Sequence, residues 1–277
     1  MNHIHWYPGH IAKAEKQLKE KLNLVDVIIE VVDARLPMSS KYPNIEKLTG
    51  NKPRLTVLNK SDLADEVYFN KWVEILKEDG NPVIKTNAAS GKDFSAVVSA
   101  VVKLGEPAIK KLTDKGLLPR PVRVMVIGMP NVGKSSIINK LIKKQKTKVG
   151  AKAGVTRQQQ WVRINEKMDL LDTPGIIPLR QDDQNAAYKL AIVNSIGENA
   201  YDAEFVAEFF LKNLSEKYLE KVKEHYKIDD ELTLENIARA RNWVVSDGNA
   251  DITRCAAFVL NDFREGRLGR MTLDELP

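Results

Sequence analysis

VRVMVIGMPNVGKSSIINK, residues 122–140, decides the fold. A run of apolar and β-branched residues ends on Gly128, the pattern G-x-x-x-x-G-K-[ST] spans 128–135, and an amphipathic segment follows at once. That strand–loop–helix context is what a phosphate-binding loop requires. Its glycines let backbone amides face a polyphosphate, Lys134 reaches the outer phosphates, and the Ser135 hydroxyl can ligate Mg²⁺. Asn131, Val132, Gly133 and Ser136 complete the loop.

Outward from this motif, five more β-type runs stand out: VDVIIEVVD (25–33), RLTVLN (54–59), PVIKT (82–86), QQWVRI (159–164) and MDLLD (168–172). Several are continuously apolar, as strands buried on both faces are. Helical patterns at 65–79, 93–104 and 134–143 alternate with them, which predicts an α/β doubly wound sheet of about six strands. The Pro-, Gly- and Lys-containing stretch 106–121 reads as a linker. From residue 183 onward the pattern is helical, in AAYKLAIVNSI, EFVAEFFLKNLSEKYLEKVKEHY, TLENIARARNW and ITRCAAFVLNDFREGRLG. Two domains are therefore expected, 1–182 and an all-helical 183–277.

Composition sets the bounds. The chain has 277 residues, 43% hydrophobic and 29% charged, with one cysteine, Cys255, which excludes an internal disulfide framework and fits a reducing compartment. No secretory pattern or membrane-length apolar run is visible, so a cytoplasmic protein without membrane attachment is expected. Net charge is +6, unevenly spread: residues 100–160 hold 14 basic against 2 acidic side chains, and residues 161–277 hold 15 against 22. The basic stretch 140–157, with Lys103, Lys110, Lys111, Lys115, Arg120 and Arg123, is either a solvated face or a polyanion-binding surface.

Three further motifs narrow the ligand. LDTPG (171–175) ends a strand; Asp172 suits Mg²⁺, through water, and the Gly175 amide suits a γ-phosphate because glycine permits close backbone approach. Between the loops, Thr156 is the candidate to complete the Mg²⁺ shell. LNKSD (58–62) supplies base selectivity. Asp62 can accept from both N1–H and the 2-amino group of guanine, whereas adenine leaves that carboxylate badly paired. Asn59 can bond the other edge of the base, and the Lys60 stem can pack over it. In TNAAS (86–90), Asn87 and Ala88 end the next strand, with the Ala88 amide placed for the guanine carbonyl. GTP is the expected ligand.

These elements resemble translation-factor-like GTPases in an inverted order, since LNKSD and TNAAS precede GMPNVGKSS and LDTPG. That inversion marks circularly permuted GTPases. With WYPGH (6–10), DARLP (33–37) and the terminal FREGRLGRMTLDEL, the whole chain resembles the ribosome biogenesis GTPase A family. The resemblance implies a GTPase that assists late assembly of the large ribosomal subunit, with precursor particles as partner and a C-terminal helical domain contacting ribosomal RNA. Arg239, Arg241, Arg264, Arg267 and Arg270 are the candidate RNA contacts, although the last third of the chain is acidic overall. A monomer is expected. The segment 176–184 runs from DTPG into the helical domain, so γ-phosphate loss is expected to reset the angle between domains.

Many GTPases place a glutamine after the DxxG glycine to orient the attacking water; this chain has Ile176, which cannot hydrogen-bond. The resemblance assigns that task to His10 of WYPGH. A first-turn helical position would favour its neutral imidazole; the alternative is that His10 only caps or packs the helix. His3, His5 and His10 match no common metal spacing. By resemblance, Asn131 is a candidate K⁺ ligand, the ion adding positive charge at the transition state. Two functional readings follow: a Mg²⁺-dependent GTPase stimulated by the ribosomal particle, or a GTP-gated scaffold in which hydrolysis is incidental.

Overall fold

The computed structural model describes residues 4, 16–42, 45–88, 90, 94–146, 161–171, 175–176 and 183–277, with the backbone alone at 143–146 and 175–176. His3, His5, His10, Thr156 and Asp172 lie outside the described residues. Among the described residues, seven strands form one sheet: β1 (Val27–Asp33), β2 (Arg54–Asn59), β3 (Val83–Lys85), β4 (Val122–Gly128), β5 (Trp161–Asn165), β6 (Met168–Leu171) and β7 (Gly175–Ile176). Their order is β3-β2-β1-β4-β6-β5, with β7 also paired to β4. All pairs are parallel except β5 with β6. The six expected strands are present. The two-residue β7 was not anticipated, because a Gly-Ile pair carries no periodicity.

Every residue of β1 is buried, and alternate side chains serve opposite faces. Val27, Ile29 and Val31 join one apolar cluster with Val97 and Val101, while Ile28 packs with Leu18, Leu22 and Ile45. Val32 joins Phe69, Trp72 and Leu76. The packing helices are α1 (Ile45–Thr49), α2 (Glu66–Glu78), α3 (Phe94–Thr113) and α4 (Lys134–Lys146). The chain lays β2 and β3 on one side of β1, then returns to place β4 and β6 on the other. The crevice at the carboxyl ends of β1 and β4 is thus a topological switch point, where open α/β sheets bind ligands.

The stretch expected to be a linker is irregular only from 114 to 121, because α3 continues through Pro107 to Thr113. Past Gly105 only half-buried side chains continue the helical period, Ile109 among them packing against the core, and Gly105 brings the helix against β4. A Cβ at Gly105 would lie 2.3 Å from Val122 Cγ1.

Beyond the sheet come α5 (Gln184–Ile192), α6 (Ala203–Lys212), α7 (Glu216–Tyr226), α8 (Leu234–Ala240) and α9 (Ile252–Arg264). The helical stretch EFVAEFFLKNLSEKYLEKVKEHY divides into α6 and α7. Asn213 ends α6, returning its side-chain amide to Phe209 O, and Ser215 starts α7 in an extended conformation. After α9 the chain turns back to the sheet: Met271 N donates to Leu63 O at 3.0 Å and Leu273 N to Arg35 O at 2.9 Å. One apolar cluster consequently runs from Val27 of β1 to Met271. Among the described residues, no helix is long and apolar enough to cross a membrane.

Gly105→Val should destabilise the fold by about 1–3 kcal/mol through overpacking against Val122. Urea unfolding of the two proteins checks this, and an unchanged midpoint would contradict the close packing of α3 on β4.

Candidate nucleotide site

The loops singled out in the sequence meet at one edge of the sheet. β4 delivers GMPNVGKSS, β2 delivers Asn59–Asp62, and β3 leads to Asn87 and Ala88. β7 pairs with β4 in register, Gly175 opposite Ile127 and Ile176 opposite Gly128, so the glycine of LDTPG lies beside the mouth of the phosphate loop. Chain order is permuted while spatial order is kept. Gly128 (φ +153°) admits the close approach of β1, since a Cβ there would lie 2.5 Å from Val31 O.

Asn59 joins three loops. Its Nδ2 donates to Val132 O at 2.9 Å, and its Oδ1 faces Ala88 N at 3.1 Å and Thr86 Oγ1 at 3.4 Å. An amide nitrogen carries two protons, so one remains for the edge of a base. The Ala88 N–H, expected to face the guanine carbonyl, donates to Asn59 Oδ1 at 3.1 Å in this structure and so also orders the loop. Gly133 is forced by the same contact. At φ +98°, a Cβ would sit 2.1 Å from Asn59 Nδ2. Asn87 Oδ1 accepts from Ser90 N at 3.1 Å, closing the turn behind Ala88.

Lys134 opens α4 and is buried, its Nζ donating to Met129 O at 2.5 Å. Burial pushes its pKa down to about 8. No carboxylate among the described residues pairs with it. Ser135 and Ser136 are exposed in the same first turn, which holds no acidic residue to offset the positive helix end. Hydroxyl oxygens are hard donors of the kind Mg²⁺ takes, and the exposed Ser135 hydroxyl is one such group. Asn131, at φ 57°, donates from Nδ2 to Asn194 O at 2.6 Å; its Oδ1 is the group that could face a cation.

Behind the base-reading loop lies a buried ionic cluster whose role was not apparent from the sequence. Asp33 accepts from Arg35 Nε at 3.0 Å and NH2 at 2.9 Å, and Lys60 Nζ lies 2.9 Å from the same carboxylate. Burial alone would raise the Asp33 pKa, but Arg35 and then Lys60 overcome it and hold the carboxyl well below the usual carboxylate range. Lys60 is itself lowered by burial, with Asp33 opposing. Arg35 NH1 reaches Arg264 O at 3.3 Å, and its guanidinium lies 5.0 Å from the Phe263 ring centroid. The visible signal was a charged pair, D-A-R, at the end of a mostly apolar strand. Lys60 stands at φ 59°, and Asp62 two residues on is exposed.

Arg264 is corrected from the RNA-contact set. Its Nε donates to Ile192 O at 2.9 Å, and NH2 donates to Ala191 O at 3.0 Å and Tyr201 OH at 2.9 Å, which caps the C-terminus of α5. Arg239, Arg241, Arg267 and Arg270 remain exposed, with partners in Glu235, His225 O, Asp262 and Glu66. Arg120 pairs with Asp26 at 2.6 Å, and Arg123 stacks over Trp161. Both lie at the amino ends of β1 and β4, opposite the nucleotide edge.

A family model described as "50S ribosome-binding GTPase" matches residues 123–239. Ribosome biogenesis GTPase A of Bacillus cereus is 40% identical over 277 residues, covering 98% of this chain and 93% of that protein. The protein of the same name from Thermotoga maritima is 33% identical, covering 97% and 93%. Among solved structures, GNP-bound YlqF from T. maritima superposes with a TM-score of 0.68 at 29% identity, covering 95% and 98% of the two chains.

Gly133→Ala should weaken GTP and GDP binding about tenfold or more, since it combines a left-handed φ with a clash at Asn59; titration with a fluorescent nucleotide checks it. Asp33→Asn should cost about 3 kcal/mol by leaving Arg35 and Lys60 uncompensated. Because the folded pKa of Asp33 is depressed, its contribution is present above the unfolded value near 4 and is lost as pH falls below it. Urea unfolding from neutral pH down to about pH 3 should therefore show a shallower acid loss in the variant than in the wild type.

Proposed function

Since the chain belongs to the ribosome biogenesis GTPase A family and hydrolyses GTP, we propose that it binds precursors of the large ribosomal subunit in the cytoplasm and assists their late assembly. In this reading the particle stimulates turnover. The observation that carries the nucleotide half is the convergence of the phosphate loop, the Gly175 strand and the Asn59–Asp62 loop on one sheet edge, tied together by Asn59. Family membership supports the ribosomal half.

Asp62 reads N1–H and the 2-amino group of guanine, Lys60 packs over the base, and Asn59 bonds its far edge with its remaining amide proton. Asn131, Val132, Gly133 and Ser136 cradle the phosphates, and Lys134 neutralises charge on the outer ones. Ser135, Thr156 and Asp172 would hold Mg²⁺, and Asn131 would hold K⁺; such ions would supply positive charge to offset that developing on the phosphates. Gly175 presents its amide to the γ-phosphate.

His10 orients the attacking water in place of the glutamine absent at Ile176. Supporting this, Ile4 is buried and its N–H donates to Gln184 Oε1 at 3.2 Å. That contact places Ile4, six positions before His10, at the start of α5, the helix that follows the LDTPG segment in the chain. Residues 1–182 act as the GTPase unit and 183–277 as the helical unit. Asn131 to Asn194 and Arg35 to Arg264 tie them together, so a change of angle between units has to break or slide these bonds.

RNA contact falls to Arg239, Arg241, Arg267 and Arg270, with Lys110, Lys111 and Lys115 as a second exposed basic set. The rival reading is a GTP-gated scaffold in which hydrolysis is incidental; the two separate at His10.

GTP turnover measured with and without large-subunit precursors should rise with the particle, and His10→Ala should cut the stimulated rate by about tenfold or more while GTP binding is retained. Unchanged stimulated turnover in that variant would favour the scaffold. Affinity for the particle should fall steeply as salt rises.

A further inference from the structure

The loop that carries Asp62 is held from outside itself, by the returning C-terminal segment and by α7. On one side Lys60 is anchored to Asp33. On the other, Leu63 O accepts from Met271 N at 3.0 Å, and Asp65 N donates to Thr272 Oγ1 at 3.2 Å. Tyr218 of α7 closes the arrangement. Its hydroxyl accepts from Thr272 N at 3.0 Å and donates to Asp65 Oδ2 at 3.2 Å. Burial raises the Tyr218 pKa above the usual phenol range, so the hydroxyl keeps its proton. Asp65 in turn caps α2 through Val67 N and Tyr68 N. Gly266 lies against the same loop, where a Cβ would come within 2.7 Å of Leu63 Cδ2.

The segment is pinned further along its length. Asp274 Oδ2 accepts from Met38 N and Ser39 N, each at 2.8 Å, and Trp72 Nε1 donates to Asp274 O at 3.3 Å. Thr272 and Asp274 are each 4% exposed. Asp62, by contrast, is exposed and has no hydrogen-bond partner among the described residues. Its position is set by Lys60 and Leu63 on either side, and Leu63 is set by the C-terminal segment.

We infer that Thr272 and Tyr218 are positioning residues for guanine selectivity: the C-terminal segment and α7 lock the Lys60–Asp65 loop so that Asp62 meets the 2-amino group of the base. This rests on the assignment of Asp62 as the guanine reader. A hydrogen-bonding carboxylate discriminates only while it is held in place, since a loose loop recovers the cost of an unpaired group by turning it to water. Guanine selectivity is therefore a property of the whole chain, reaching about 210 residues beyond the loop that reads the base.

The test is displacement of fluorescent GDP by GTP and by inosine triphosphate, which differs only in lacking the 2-amino group. The ratio of the two affinities reads the Asp62 contact and is insensitive to a general loss of fold, which thermal unfolding of each variant records separately. Thr272→Val and Tyr218→Phe should each shrink the GTP preference by about fivefold, mainly through weaker GTP binding, while Thr272→Ser stays near the wild type. If Thr272→Val does not fold, Tyr218→Phe, which loses one oxygen, decides alone. A wild-type ratio in the folded variants, with a collapsed ratio in Asp62→Asn, overturns the lock and leaves the base reader standing. An unchanged ratio in Asp62→Asn overturns both.

Discussion

Most of the nucleotide edge depends on the Asp33–Arg35 pair at the carboxyl end of β1. Both side chains are buried, in a place where an unpaired charge would cost several kcal/mol. The pair is tolerable because the fork of Arg35 meets both carboxylate oxygens, and Lys60 adds a second cation. Arg35 also uses NH1 on Arg264 O, lies over Phe263, and accepts at its own carbonyl from Leu273 N. One strand end therefore joins the central sheet, the base-reading loop and the end of α9. None of these can move far without exposing a charge to an apolar surrounding.

A second circuit joins the phosphate end to the helices. Asn131 bonds Asn194 O just past α5, and Arg264 caps the last carbonyls of that same helix. Arg264 is thus reached from the base end through Arg35 and from the phosphate end through α5. The fold has in effect wrapped its helical part around both ends of the ligand site. Within that frame Lys134 stands buried with a carbonyl as its partner, its charge disfavoured until a polyanion supplies the missing counter-charge.

Local patterns made much of the sheet legible. Predominantly apolar runs such as VMVIG and VIIEVVD are best satisfied between two covered faces, and β1, β2 and β4 appear where such runs stand. The phosphate loop was legible because its glycines, lysine and serine work through backbone geometry that is local in sequence. Less legible were features that depend on what comes to rest nearby. The two-residue β7 exists because β4 lies beside it, and α3 extends past Pro107 because its next turns still find apolar surface. Arg264 looked like a free cation in FREGRLG, yet its guanidinium is taken up by carbonyls some seventy positions earlier.

By itself the sequence determined which parts are present: a phosphate-loop motif, an LNKSD motif with its carboxylate, an isoleucine after the DTPG glycine, and a permuted order of otherwise ordinary parts. These follow from residue types at fixed short spacings, which the chain carries wherever it folds. Only the tertiary structure decided how the parts are held. Asn59 as the tie between three loops, Asp33 as the shared counter-ion, and Thr272 and Tyr218 as supports of the Asp62 loop all join residues far apart in sequence. Spacing cannot announce such contacts, because they depend on which buried polar groups the packed chain brings within about 3 Å of one another.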